Sequence, residues 1–200
     1  DPKGAETPCV CVWDSCDGDA KQVARINFHE RAVTAVAFSE DGSKLVSIGE
    51  DDDHWMAVWD LEKVMGAGVS SEPTMQIGSG KEQVFGVAMN GDGGIVTYGP
   101  KHVKFWGTKE GALQSKLGKF GLKDPAPKAI LCSAFTSGGL VAVGADNGNV
   151  YFFDWEGVQS GDRSRQRGVQ VGSGKEQVFG TGMDGEWGIV TYGPKHVKVW

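Results

Sequence analysis

A chain of 200 residues with 40% apolar and 23% charged residues and a formal charge of −6 has the composition of a soluble globular protein, long enough for one substantial domain or part of a larger one. No run approaches the ~18 apolar residues of a membrane helix. Four cysteines, Cys9, Cys11, Cys16 and Cys132, three of them crowded at one end, form no disulfide framework, which favours a reducing, intracellular setting. The chain opens on Asp1 with neither Met nor a signal peptide, as a slice of a longer protein would.

The 31 glycines are about twice the background usage of roughly 7%. They lie singly between short apolar runs, the distribution of turn glycines in an all-β protein. In chain order, VCVWD (10–14) reads as a strand, and a poorly marked strand is expected before His29. AVTAVAFS (32–39) alternates and is followed by the turn EDG; KLVSIG (44–49), the turn EDDD and the strand WMAVWD (55–60) come next, with a fourth strand expected at 72–77. Further aromatic-ended strands are VKFW (103–106), VYFFD (150–154) and VKVW (197–200). The anchors Trp13, Trp59, Trp106, Phe153 and Trp200 are spaced 46, 47, 47 and 47 residues apart. A period in the mid-forties with a Trp-Asp dipeptide is the signature of WD40 β-propeller blades, four antiparallel strands each. The chain therefore reads as all-β, about four blades of a WD40 propeller. Such a slice leaves open sheet edges, so blades of a larger, tandem propeller are expected to close the ring.

GSGKEQVFGVAMNGDGGIVTYGPKHVKFW (78–106) returns at 172–200 as GSGKEQVFGTGMDGEWGIVTYGPKHVKVW, identical at 23 of 29 positions and offset by 94 residues, two blade periods. Many apolar choices fill a blade equally well, so identity that extends to surface positions is history and not a packing requirement. It marks either a recent two-blade duplication or a fault in the assembly of the chain. Val87 is answered by Thr181 and Ala88 by Gly182, which is drift and favours duplication. The expected organisation is WD40 blades over 1–155, a polar linker over 156–171 containing GVQSGDRSRQRG, and a partial blade over 172–200.

Residues 29–59 supply His29, Ser47, Asp53 and Trp59, the types that form a buried hydrogen-bonded set in such blades. The Trp N–H donates to the Ser hydroxyl, the Ser to the His and the His to the Asp. A nucleophilic Ser-His-Asp triad is the competing reading, but no nucleophile elbow is present. In other blades the set decays, Asn147 standing for Asp and Phe153 for Trp. The two GSGK segments lack the remaining phosphate-loop residues: Met75 and Val169 occupy the first glycine position, and Glu82 and Glu176 follow the lysines, where a magnesium-binding hydroxyl belongs. The run Glu50 to His54 lacks the alternation, central Gly and terminal Glu of a calcium loop. Cys9, Cys11 and Cys16 have no second ligand pair for zinc. No cofactor, metal or catalytic residue is expected, and the fold would not act as an enzyme without convergent titratable groups.

Charge is uneven. Residues 1–76 hold 6 basic and 15 acidic residues, and residues 77–200 hold 14 and 11. The densest basic segment, Lys101 to Lys128, carries acids only at Glu110 and Asp124. A local basic stretch on an acidic whole argues against nucleic acid and suits one acidic protein surface. The candidate partner-binding residues are Lys101, His102, Lys104, Lys109, Lys116, Lys119 and Lys123.

Several stretches are more specific than the Trp-Asp period: ERAVTAVAFS (30–39), DDDHWMAVWDLEK (51–63), KEQVFGVAMN (81–90), VTYGPKHVKFW (96–106) and LGKFGLKDPAPKAILCSAFTSGGLVAVGADNGNVYFF (117–153). From about residue 9 to 155 the chain resembles the echinoderm microtubule-associated protein-like (EMAP-like) family, whose tandem propellers form one rigid unit. The resemblance implies a non-enzymatic structural protein that binds the tubulin lattice through a propeller surface. It also implies cytoskeletal or axonemal partners and a place on the cytoplasmic cytoskeleton or in the cilium. Nothing in composition or spacing implies this. The alternative is a WD40 interaction scaffold in a non-cytoskeletal complex.

Overall fold

A computed structural model describes residues 7–16, 18–120, 126–136, 139–154, 178, 180–183, 189–193 and 196–199. The chain divides into two compact units, Asp1–Gln83 and Val84–Trp200.

The first unit holds β1 (Val10–Asp14), β2 (Lys21–Ile26), β3 (Val33–Phe38), β4 (Lys44–Gly49), β5 (Trp55–Asp60), α1 (Leu61–Ala67), β6 (Val69–Ser70) and β7 (Met75–Gly78). The expected strand before His29 is β2, and the one expected at 72–77 is β7, shifted towards the C-terminus. β3, β4, β5 and β7 form a four-stranded antiparallel meander in that order. β4 and β5 run inside it, which is why KLVSIG and WMAVWD are near-continuous apolar runs buried almost throughout, while β3 alternates. The β3–β4 turn is pinned by Asp41, whose carboxylate accepts from the Ser39 hydroxyl at 2.6 Å and from the Ser43 amide at 3.0 Å. These bonds hold the Asp41 carboxyl down at about 2.

The short helix α1 is absent from the sequence-based reading. Asp60 caps it, its carboxylate accepting from the Lys63 amide at 3.2 Å, and Gly68 ends it at φ +73° with its N–H donated to the Val64 carbonyl. Leu61 and Val64 bury against Val12, Ile26 and Trp59. The helix thus returns the chain so that β6 pairs parallel to β2, completing a sheet ordered β1-β2-β6.

The second unit contains β8 (Gly86–Met89), β9 (Ile95–Gly99), β10 (His102–Lys109) and β11 (Ala112–Leu117), paired β8-β9-β10-β11. It continues with β12 (Ile130–Phe135), β13 (Leu140–Ala145) and β14 (Val150–Asp154), and with β15 (Gly180–Met183), β16 (Ile189–Gly193) and β17 (His196–Val199). Its main core lies between the first two sheets: Val96, Val103 and Phe105 meet Ile130, Val141, Val143, Tyr151 and Phe153. The Phe105 and Phe153 rings are 5.4 Å apart, and Phe120 packs edge-on against Phe153. Each such side chain contributes about 1.5–3 kcal/mol by leaving water. On the other face of β13, Cys132, Ala142 and Val150 pack against Val178. A Cβ on Gly144 would stand 2.5 Å from Cys132 Sγ and 2.6 Å from Val178 Cγ1, so only glycine lets these layers meet.

The sequence repeat is also a repeat of register. Gly86 faces Tyr98 and Val87 faces Thr97, just as Gly180 faces Tyr192 and Thr181 faces Thr191. His102 and His196 face Gly99 and Gly193. The expected linker at 156–171 and the last anchor, Trp200, lie outside the described residues.

Candidate functional site

Three of the four residues expected to form a buried set come together in the first unit. The connection between β2 and β3 delivers His29, β4 delivers Ser47 and β5 delivers Trp59. The Trp59 Nε1–H donates to Ser47 Oγ at 3.0 Å, and Ser47 Oγ lies 2.8 Å from His29 Nε2. Phe28 closes the set edge-on against both the His29 and Trp59 rings. Ser47 is 0% exposed and its oxygen is engaged by both neighbours, so it clamps strands together and cannot reach a substrate.

The carboxylate that faces His29 is that of Asp51 and not of Asp53. Asp51 Oδ2 lies 3.7 Å from His29 Nδ1. The 51–54 turn, with His54 at φ +45° and its N–H donated to the Asp51 carbonyl, places Asp51 over the end of β4. It carries Asp53 towards Gly78, whose Cβ position is 3.3 Å from that of Asp53, and the Asp53 carbonyl accepts from the Gly80 amide. Gly49 makes the arrangement possible, since a Cβ there would fall 2.3 Å from His29 Nδ1 and 2.6 Å from Asp51 Oδ2. Burial lowers the His29 pKa, and the Asp51 carboxylate opposes that shift only in part.

The same place in the other sheets shows how the set decays. In the β8–β11 sheet the Trp106 Nε1–H donates to Thr97 Oγ1 at 2.9 Å, and Thr97 and Trp106 hold the register of Ser47 and Trp59. In the β12–β14 sheet Phe153 stands for the Trp and Val143 for the hydroxyl residue. Donor and acceptor have left together, so neither of these two positions strands a buried polar group. Asn147 and Asn149 turn instead to the Tyr151 hydroxyl, donating at 2.7 and 3.3 Å.

Among the described residues, the basic segment does not form one patch. Lys101 and Lys109 bracket β10, roughly 25 Å apart at ~3.3 Å per residue. Paired residues share a face, and Lys104 pairs with Leu117 whereas Lys116 pairs with Phe105, so Lys104 and Lys116 stand on opposite faces. Lys109 and the half-buried Lys116 share the Phe105 face of β10 and β11, and Lys119 follows β11 as an exposed residue. His102 is corrected from surface to interior: it is 4% exposed as the first residue of β10, with Nδ1 3.1 Å from the Pro100 carbonyl. Lys123 lies outside the described residues. Lys101 holds φ +62° and donates its amide to the Lys128 carbonyl.

Comparison with known proteins adds a lineage to this geometry. The family model described as "Echinoderm microtubule-associated protein first beta-propeller" matches residues 1–173. Echinoderm microtubule-associated protein-like 1 of Homo sapiens is 33% identical over 147 residues, 72% of this chain and 17% of the relative. The 77 kDa echinoderm microtubule-associated protein of Strongylocentrotus purpuratus is 33% identical over 150 residues, 73% of this chain and 21% of the relative. The chain thus spans about a fifth of the length of these relatives. Among solved structures, the Cps50 (Swd1) β-propeller domain of Myceliophteria thermophila superposes with a TM-score of 0.68 at 13% identity, covering 96% of this chain and 58% of that one. The computationally designed Ika4 protein superposes with a TM-score of 0.59 at 21% identity, covering 90% and 97%. At these identities such likeness speaks for fold alone, and the Cps50 (Swd1) domain makes that fold a β-propeller.

Proposed function

The chain belongs to the echinoderm microtubule-associated protein-like family, and from that membership we propose that it is part of a non-enzymatic structural protein that binds the tubulin lattice through a rigid sheet surface. The observation that carries this reading is the family match over residues 1–173, to proteins that are named microtubule-associated. The surface we favour is the outer edge of the second unit's first sheet, where Lys109 and Lys116 share a face beside the exposed Lys119. β10, which carries Lys109 and pairs with the edge strand β11, is anchored by Phe105 and Trp106, both nearly fully buried, so the lysines are presented at little ordering cost. Cytoplasmic cytoskeleton is the corresponding location, with the axoneme and axonemal proteins as one setting.

Co-sedimentation of the full-length protein with polymerised tubulin across a salt series tests this. Pelleting should fade as ionic strength rises and the Debye length falls from roughly 10 to 3 Å. Exchanging Lys109, Lys116 and Lys119 for Gln should weaken pelleting without lowering the melting temperature. Absence of pelleting at low salt would move the protein to the second reading, an interaction scaffold in a non-cytoskeletal complex.

A further inference from the structure

A cleft of about 440 Å³ lies beside the buried His29 set in the first unit, lined by the acidic residues Glu30, Asp51, Asp52 and Asp53 together with Phe28, Trp55 and Gln76. Its charge is largely uncompensated. Arg31 pairs with Asp52 at 2.8 Å, both side chains exposed, and no basic side chain lines the cleft. Trp55 is 37% exposed at the start of β5, an indole left in contact with water beside carboxylates. Beneath the cleft, His29 Nδ1, on a side chain 2% exposed, faces Asp51 Oδ2 at 3.7 Å, beyond hydrogen-bond reach. The other Asp51 oxygen accepts only the Glu30 amide at 3.3 Å, so this carboxylate retains acceptor capacity towards the cleft.

We propose that this cleft receives the arginine side chain of a basic segment of a partner protein. The guanidinium would stack on the Trp55 ring and donate to the Asp51 and Asp53 carboxylates. Three features select this occupant. The lining combines aromatic with acidic residues, which suits a planar, weakly hydrated organic cation. A hydrated divalent ion fits less well, because among the described residues no three His, Cys, Asp or Glu side chains converge at metal-ligand spacing. The unit's own charge is complementary, with 15 acidic against 6 basic residues over 1–76, and draws basic segments in by its field. The site shares no residue with the lysine-bearing strands, and the proposal does not depend on tubulin binding.

The test is fluorescence anisotropy of a fluorescein-labelled hexa-arginine peptide titrated with the full chain at low salt. Glu30→Gln with Asp53→Asn should weaken binding roughly tenfold, and Trp55→Ala about two- to tenfold. Glu40→Gln with Glu62→Gln, the same charge loss on exposed positions of the same unit outside the cleft, should change it less than about twofold. Melting temperatures report folding, and the carboxylate pair decides the matter if Trp55→Ala proves unstable. The assignment is overturned if hexa-arginine does not bind saturably, or if the control pair weakens it as much as the cleft pair. It is overturned equally if a folded Trp55→Ala binds as wild type, or if calcium displaces the peptide beyond the effect of sodium chloride at equal ionic strength.

Discussion

The bond between Trp106 and Thr97 offers a quantitative test of why the buried set decays as it does. Trp106 is 2% exposed and Thr97 0%, and the Nε1–Oγ1 distance is 2.9 Å. Thr97→Val keeps the shape but leaves a buried indole N–H unpartnered, which costs about 1–3 kcal/mol. Trp106→Phe removes the donor together with part of a buried ring and should cost about 2–4 kcal/mol, the hydroxyl left behind adding to the lost packing. The double variant recreates the pairing seen at Val143 and Phe153, where neither group exists. It should therefore be less destabilised than the sum of the singles by about 1–2 kcal/mol, since the residues are in direct contact. Urea denaturation with matched m-values supplies the three numbers. Additivity within ~0.5 kcal/mol would refute the claim that the two groups are linked and must leave together.

Asp51→Asn should lower the His29 pKa further, measured by NMR, because the carboxylate that partly offsets burial is lost; Asp53→Asn should leave it unchanged, and the reverse result would restore Asp53 to the set. The lowered His29 pKa means that the unfolded chain takes up a proton more readily than the folded one. Stability from this group is thus complete above about 6.5, the unfolded value, and declines as pH falls below it. Melting curves from pH 7.5 down to 5 should show that decline and His29→Gln should blunt it; an unchanged slope in the variant would remove His29 as the source. Gly144→Ala should cost about 1–3 kcal/mol by overpacking against Cys132 and Val178, a melting-temperature drop of roughly 2–4 °C per kcal/mol; an unchanged melting temperature would show that these layers have slack.

Strands were legible where one physical signal dominated. VCVWD, KLVSIG, WMAVWD and VYFFD coincide with β1, β4, β5 and β14, because β-branched and aromatic residues end at Asp or Gly turns. The His29–Ser47–Trp59 contacts were legible because side chains at fixed offsets on neighbouring strands must meet. Asp51 was not, because residue type alone does not choose among three consecutive aspartates, and His54 at φ +45° shapes the turn that does; Gly49, tolerating no Cβ beneath the His29–Asp51 pair, was the available clue. Helix α1 was missed because seven residues are too few for a periodic stripe, although Asp60 and Gly68 stood in the sequence as caps.

The lysine segment shows a different limit. Seven lysines close in sequence look like a patch, but on a strand neighbours alternate between faces and distant residues are joined by register. Of the described lysines, the outer strands put Lys109 and Lys116 on one face and Lys104 on the other, and His102, next to Lys101 in the sequence, is interior. Charge along the chain therefore overstates charge on any one surface here. The acidic turn behaves in the opposite way: Asp51, Asp52 and Asp53 are consecutive, yet the turn gathers them around one cleft with Glu30 from the approach to β3. A turn can bring sequential charges to one point because it reverses the chain, whereas a strand spreads them along its length and over both faces. On that ground the turn concentrates charge more than the strand does, and the cleft is the place in this chain where a short charged run becomes a local field.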